Sequence, residues 1–411
     1  MRVANGNLWI RFFLACAGLC QALAAQTTAA RDTVVLQNGK QLTGRVVRSD
    51  ADKVVLRIGS VDRTLPRKDV RSVDCIADKH RELMQIWPTV ALDDTAALQA
   101  LAARAEREGL VHEATLWRWY VLLKNPGDLR THEALGNRQQ RGTFLVEIGG
   151  QWVPFADADA LGQDFSKSWR LRSEHFAIQC AAGLRHALDA LLELEGLYWL
   201  MHTLVGQELQ LLELVEPIPV RHYRDRPQMP SVSNNFRAYF SIGEATLYTC
   251  VEDERPFALF HEGTHALLHY QFVRAAKSKG TLPAWLDEGW ADYMQGRLVA
   301  RVPGKATALA GSVQGYHFTV LAEAQQQKRL LGLHRVLNLQ SSDFGASTHQ
   351  ATKYAQSWAL FRFLFESEDQ ELRKAFLDYL REATAGRGQA STFRRLFAAH
   401  EKVLEQAPWR P

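Results

Sequence analysis

The sequence predicts an α+β chain, and three observations carry that reading. From residue 32 to 75, β-branched residues alternate or cluster between turn signals. Between 175 and 250, four strand-like segments (His175 to Cys180, Ile218 to Tyr223, Phe236 to Phe240, Ala245 to Cys250) accompany a long helix from about Leu184 to Val205. From Pro256 onward nearly every stretch has helical spacing, so a mixed sheet is expected to feed a helical lobe. Length sets the scale: 411 residues, at about 100 to 200 per domain, give two or three domains. With 46% hydrophobic and 23% charged residues the composition excludes disordered, collagen-like and coiled-coil classes. A formal net charge of +4 leaves no nucleic-acid footprint, so no nucleic-acid partner is expected.

The first 25 residues read as an export signal. Basic Arg2 and Arg11 precede an apolar run from Phe12 to Leu23, and small residues stand at Ala22, Ala24 and Ala25. Cleavage after Ala24 or Ala25 gives a periplasmic or secreted chain with no stable membrane insertion; an uncleaved anchor is the alternative. Cys16 and Cys20 fall inside this signal, leaving Cys75, Cys180 and Cys250. Three cysteines in an oxidising compartment allow one internal disulfide with one free thiol, or none.

Residues 32 to 75 hold four or five short strands around the Asn38-Gly39 turn, Gly44 and a closing Val70 to Val73 segment. The spacing resembles small SH3-like or Sm-like barrels, a resemblance that implies a module binding peptide, cell-wall material or RNA, or else a structural spacer. Residues 78 to 155 form a helical connector, with Leu98, Leu101, Ala102, Ala105, Ala114 and Trp117 at helical spacing, followed by a short hairpin from Gly142 to Pro154. Ala156 to Ser168 reads as a polar linker. Trp117, Trp119, Trp199, Trp285 and Trp358 sit at core spacing and are read as packing.

The chemistry lies in residues 168 to 402. His261-Glu262-Gly263-Thr264-His265 is an HExxH motif inside an apolar helix. Positions i and i+4 lie about 40° apart around a helix and about 6 Å along it, so both imidazoles can grip one ion. Glu262 is turned about 100° from His261, within reach of a water beside that ion but not itself a ligand. A third ligand is needed. His269 lies about 12 Å from the first histidine along the same helix and cannot share the ion. The metzincin spacing would need a histidine where Gln271 stands. Glu288 remains, in a second apolar helix that opens at Pro283 and carries Trp285, Leu286, Ala291 and Met294. Two histidines and one carboxylate leave a fourth coordination position for water.

HExxH, a loop of some twenty residues and then Trp285-Leu286-Asp287-Glu288-Gly289-Trp290-Ala291-Asp292-Tyr293 resembles the gluzincin zinc metallopeptidases. Within that clan the chain is most similar to the bacterial peptidase MA-like proteins, with a thermolysin-like zincin fold. The likeness runs over roughly residues 170 to 400 and includes the Tyr354 to Ala359 helix. It implies zinc held by His261, His265 and Glu288, with Glu262 as general base. It also implies Asp292 as the partner of a ligand histidine, a role Asp287 can fill as well. For the oxyanion donor it points to Tyr354, which can equally be a packed helix tyrosine; His349 and His317 are weaker candidates. The implied activity is hydrolysis of peptide bonds in a peptide or protein substrate by an exported enzyme. The alternative is a non-catalytic scaffold whose gluzincin-like domain binds peptide or cell-wall material around a structural or vestigial zinc site; a third reading has the zinc site act on a nonpeptide amide, as in cell-wall processing. Because the first 150 residues hold no assigned site residue, they are expected to be separable, with a chain starting near Ser168 keeping its zinc.

Overall fold

A computed structural model describes residues 32–230, 238–251, 257–274, 281–298, 306–345 and 348–406. The expected export signal over residues 1–25, with Cys16 and Cys20, lies outside the described residues, as do Phe236 and Arg237 of an expected strand. The chain divides into two units, one ending at Ile76 and the other beginning at Ala77.

In the first unit β1 (Asp32–Leu36), β2 (Gln41–Ser49), β3 (Lys53–Ile58), β4 (Val61–Pro66) and β5 (Val70–Asp74) form one antiparallel sheet in the order β4-β3-β2-β1-β5. Gly39, at φ +82°, makes the β1–β2 turn that an L side chain would strain. Alternation buries Val34, Leu42, Val46, Val54, Leu56 and Leu65 on one face. The expected barrel is not closed: β4 pairs only with β3 and β5 only with β1, so the sheet keeps two edges. The buried Asp32 carboxylate instead ties the sheet together, accepting the Val46 N–H at 2.6 Å and the Ile76 N–H at 2.8 Å.

The second unit takes in α1 (Ile76–Ile86) from its second residue and then the helix pair α2 (Thr95–Arg107) and α3 (Val111–Lys124). Asp94 caps α2 by accepting the Ala97 N–H. The expected hairpin is present as β7 (Thr143–Ile148) and β8 (Gln151–Pro154), extended by β6 (Arg138–Gln140) into three strands. The expected polar linker over 156–168 is built structure instead, because Asp159 accepts both the Trp169 indole N–H at 2.6 Å and the Leu184 N–H at 2.9 Å.

The second sheet comprises β9 (Trp169–Arg172), β10 (Phe176–Cys180), β11 (Ile218–Tyr223), β12 (Ala238–Ser241) and β13 (Thr246–Cys250), in the order β12-β13-β11-β10-β9. β10, β11 and β13 run parallel, and the two edges β12 and β9 run antiparallel. Parallel neighbours need a long crossover, and between β10 and β11 it includes the 22-residue α4 (Leu184–Val205), buried at Leu188, Leu191, Leu194 and Leu197. Helices then dominate: α5 (Phe257–Leu268), α6 (Ala284–Leu298), α7 (Ala306–Gln326), α8 (Gln350–Phe365) and α9 (Gln370–Glu382). Trp117, Trp119, Trp199, Trp285 and Trp358 are all buried, as core packing requires. Cys75, Cys180 and Cys250 are buried, and burial pushes the Cys180 thiol up to about 12. Among the described residues no helix is long and apolar enough to cross a membrane.

Candidate metal centre

α5 brings one apolar face onto α4 and leaves the opposite face for chemistry. Leu259, Phe260, Ala266, Leu267 and Leu268 are buried, while Thr264 Oγ1 donates to the Phe260 carbonyl at 2.8 Å. Gly263 lets α5 approach α4 closely: a Cβ there would stand 2.8 Å from Leu197 Cδ2 and 3.0 Å from Leu194 Cδ2, and those leucine ends would have to shift. α6 starts where the Pro283 carbonyl accepts the Leu286 and Asp287 N–H groups. Trp285, Leu286, Trp290, Ala291 and Met294 anchor it in the core. Its glycine works like that of α5, since a Cβ on Gly289 would stand 2.5 Å from the Ser357 carbonyl oxygen of α8. Two close helix contacts, each made at a glycine, thus frame α5 and α6.

Three ligand atoms meet between these helices. Nε2 of His261 lies 3.2 Å from Nε2 of His265 and 3.2 Å from Glu288 Oε2, and His265 Nε2 is 3.5 Å from the same oxygen. Tetrahedral coordination at 2.0–2.1 Å needs ligand atoms about 3.3 Å apart, so these separations fit one small divalent cation. The outer nitrogens are engaged: His261 Nδ1 lies 3.0 Å from Asp292 Oδ1, and His265 Nδ1 lies 3.0 Å from Asp287 Oδ1. With each Nδ1–H donating outward, both Nε2 lone pairs and the Glu288 oxygen converge as acceptors. A cation satisfies all three, whereas protons would set two imidazolium ions side by side. His261, His265 and Glu288 can therefore hold a metal ion.

Before a metal binds, the surrounding carboxylates favour protons on both imidazoles. Burial opposes charge on His261, but the Asp292 and Glu288 carboxylates outweigh it and raise its pKa to about 10. His265 is raised against its burial by Asp287 and Glu288. Glu288, despite burial, is held well below the usual carboxylate range by the two imidazoles. A metal must displace protons from such ligands, so its capture is coupled to proton release.

Glu262 stands beside the ligand set without belonging to it. Its Oε2 accepts the Phe240 N–H of edge strand β12 at 2.9 Å. Burial raises its pKa; His265 and His261 oppose that shift, and so does the Phe240 N–H. The Tyr354 ring lies edge-on to His261 with centroids 6.0 Å apart, and its hydroxyl donates to the Phe344 carbonyl at 3.4 Å. Burial, then the Glu288, Asp292 and Glu262 carboxylates, drive that phenol well above its ordinary pKa.

The other sequence candidates lie elsewhere. His349 is exposed at the start of α8, paired with Arg329, and is not part of the centre. His317 is buried with Nε2 3.4 Å from Asp292 Oδ2, and is not one of the three converging ligands. His269 packs beside Phe240, outside the ligand cluster. Gln271 bridges the Leu212 backbone, accepting its N–H and donating to its carbonyl. Asp287 and Asp292, weighed in the sequence as alternatives, both serve, one on each histidine.

A second group, His80, His175 and Glu195, has comparable spacing but is fully buried. Sequence reading missed it because its members come from α1, the start of β10 and α4. The Trp199 indole N–H, which can only donate, points at His80 Nδ1 at 2.8 Å. That fixes Nδ1 as acceptor and puts the His80 proton on Nε2, facing Glu113 Oε1 at 3.1 Å. His175 is bracketed by Glu195 at 2.7 Å and Glu213 at 2.8 Å, and these carboxylates outweigh burial to raise it to about 10. Both His175 nitrogens thus face carboxylates, an arrangement that favours protons there over a metal ion. The cluster binds the connector to the sheet, as do the Glu113 carboxylate on the Glu174 N–H and the Tyr120 hydroxyl on Asp189.

Residues 257–387 match a family described as Protein of unknown function (DUF1570). No curated protein matches the chain, and no solved structure does.

Proposed function

We propose that the chain is an exported zinc-dependent peptidase of the gluzincin type, hydrolysing peptide bonds with Glu262 as general base. The convergence of His261 Nε2, His265 Nε2 and Glu288 Oε2 carries this reading. Their donor set, two imidazoles and one carboxylate, suits zinc. A structural site closes with four protein ligands; only three converge here among the described residues, which favours a catalytic role.

Bound at these atoms, zinc supplies Lewis-acid polarisation of the scissile carbonyl and acidity to a water. Glu262, its Oε2 steadied by Phe240, takes the water's proton at Oε1 and returns it to the leaving nitrogen. Burial supports that role by raising the carboxyl above its ordinary value, which makes it a better proton acceptor. Asp292 and Asp287 hold each histidine with Nδ1–H outward and Nε2 inward. Tyr354 is the nearby neutral donor for the oxyanion; its pKa keeps the phenol protonated, and it must exchange its bond to Phe344 for one to substrate. The deciding experiment measures bound zinc and casein hydrolysis for the full chain with and without chelator. Zinc at one per chain with chelator-sensitive hydrolysis supports the reading. Stoichiometric zinc without hydrolysis of any peptide library favours the non-catalytic scaffold.

A further inference from the structure

His317 lies behind the metal centre, two side chains away from the converging ligand atoms. Its Nε2 stands 3.4 Å from Asp292 Oδ2, while the other oxygen of that carboxylate takes His261 Nδ1–H at 3.0 Å. Asp292 is buried, and among the described residues its Oδ2 has no partner in full hydrogen-bonding geometry. A buried carboxylate oxygen with no donor is costly, and the N–H that faces it is that of His317. The separation is slightly longer than a formed N–H···O bond, a gap that a small turn of the carboxylate closes.

The two ligand histidines differ in this respect. Asp287, on His265, is 37% exposed, so water can satisfy its second oxygen. Asp292, on His261, is 8% exposed and depends on a protein donor. The His317 ring is fixed for that purpose: it is 5% exposed and stacks on the buried Trp358 at 4.8 Å and 22°. α7, α6 and α5 therefore form a chain from Trp358-braced His317 through Asp292 to His261.

We propose that His317 is a positioning residue for the metal centre, orienting His261 through Asp292. The inference rests on the metal reading above. By donating to Oδ2, His317 sets the carboxylate plane; Oδ1 then holds His261 in the tautomer and ring angle that present Nε2 to the metal.

The test is a double-mutant cycle on the full chain, stripped of metal and titrated with zinc against a chromophoric chelator. His317→Leu should weaken zinc binding by about 10- to 100-fold, the range for loss of an outer hydrogen-bond partner. His317→Gln, which keeps an N–H donor, should recover most of that loss. In an Asp292→Ala background, His317→Leu should have no further effect, because the path through Asp292 is already cut. Should His317→Leu fail to fold, His317→Asn, polar but too short to reach, replaces it in the cycle. Zinc affinity unchanged in His317→Leu, or an equal loss in both backgrounds, overturns the inference alone. A wild-type chain that binds no zinc overturns it together with the metal reading.

Discussion

His261 Nε2 and Glu288 Oε2 stand 3.2 Å apart across 27 residues of sequence, held there by two helices that meet their neighbours at Gly263 and Gly289. Everything expected of the centre depends on that separation.

One zinc per chain is expected, although two groups have ligand-like spacing. His265→Ala should strip the metal, while His175→Gln, in the fully buried cluster, should leave the stoichiometry at one. Elemental analysis of both variants checks this; a second equivalent lost with His175 would mean that the buried cluster also holds metal.

Glu262→Gln keeps the volume and the bond from Phe240 but removes the base. Zinc content should stay at wild-type level, with hydrolysis reduced by about 100- to 10,000-fold. Full activity in this variant would refute the general-base role.

Tyr354→Phe deletes the hydroxyl that donates to Phe344 and keeps the ring beside His261. An oxyanion donor is worth about 2.7–4 kcal/mol in the transition state, so kcat should fall by about 100-fold or more with zinc content unchanged. A normal kcat with a small shift in Tm would assign Tyr354 to packing.

Gly289→Ala puts a methyl group into the space of the Ser357 carbonyl, a contact of 2.5 Å with rigid backbone. Overpacking of this kind costs about 1–3 kcal/mol, and the shift of α6 against α8 should also weaken zinc binding. Denaturant melts and zinc titration of the one variant measure both.

The separability expected for the first 150 residues does not survive the buried cluster. A chain starting at Ser168 lacks His80 and Glu113 and leaves Glu195 and the Glu174 N–H short of their partners. It should express as unfolded or aggregated protein, whereas one starting at Ala77 should fold. Circular dichroism of the two chains separates the cases.

The same cluster predicts a pH dependence. His175 is raised to about 10 in the folded chain, so its contribution is full below its ordinary value near 6.5 and is lost as pH rises through 10. Glu113, lowered by His80 against its burial, contributes above the ordinary carboxylate value near 4.5 and loses that contribution in acid. Stability from the cluster should therefore be greatest between about pH 4.5 and 6.5 and decline toward alkaline pH. In His175→Gln the alkaline decline should flatten; an unchanged slope would mean that other groups cause it.

The metal centre was legible because helical geometry is local. His261 and His265 share a face at any i, i+4 spacing, and the apolar pattern around Glu288 marks a second buried helix. The α+β character, the Ile218–Tyr223 strand and the Leu184–Val205 helix were likewise written in periodicity. Pairing is not local, and there the sequence reading erred. Strand signals in 32–75 could not reveal that β4 and β5 end as the two edges of an open sheet. Polarity in 156–168 suggested a linker, because nothing in composition shows that Asp159 caps one segment and binds the indole of another.

Donor and acceptor roles were the other thing out of reach. By itself the sequence determined which side chains can ligate a metal, through the fixed spacing of the helix. Only the tertiary structure decided that Asp292 serves His261, that Asp287 serves His265 and that His317 backs Asp292. It also decided that nitrogens of His80 and His175, no less suited as ligands, are engaged by Trp199, Glu195 and Glu213. The reason is physical: a histidine's lone pair is free or taken according to what its other nitrogen meets, and that partner comes from another part of the chain.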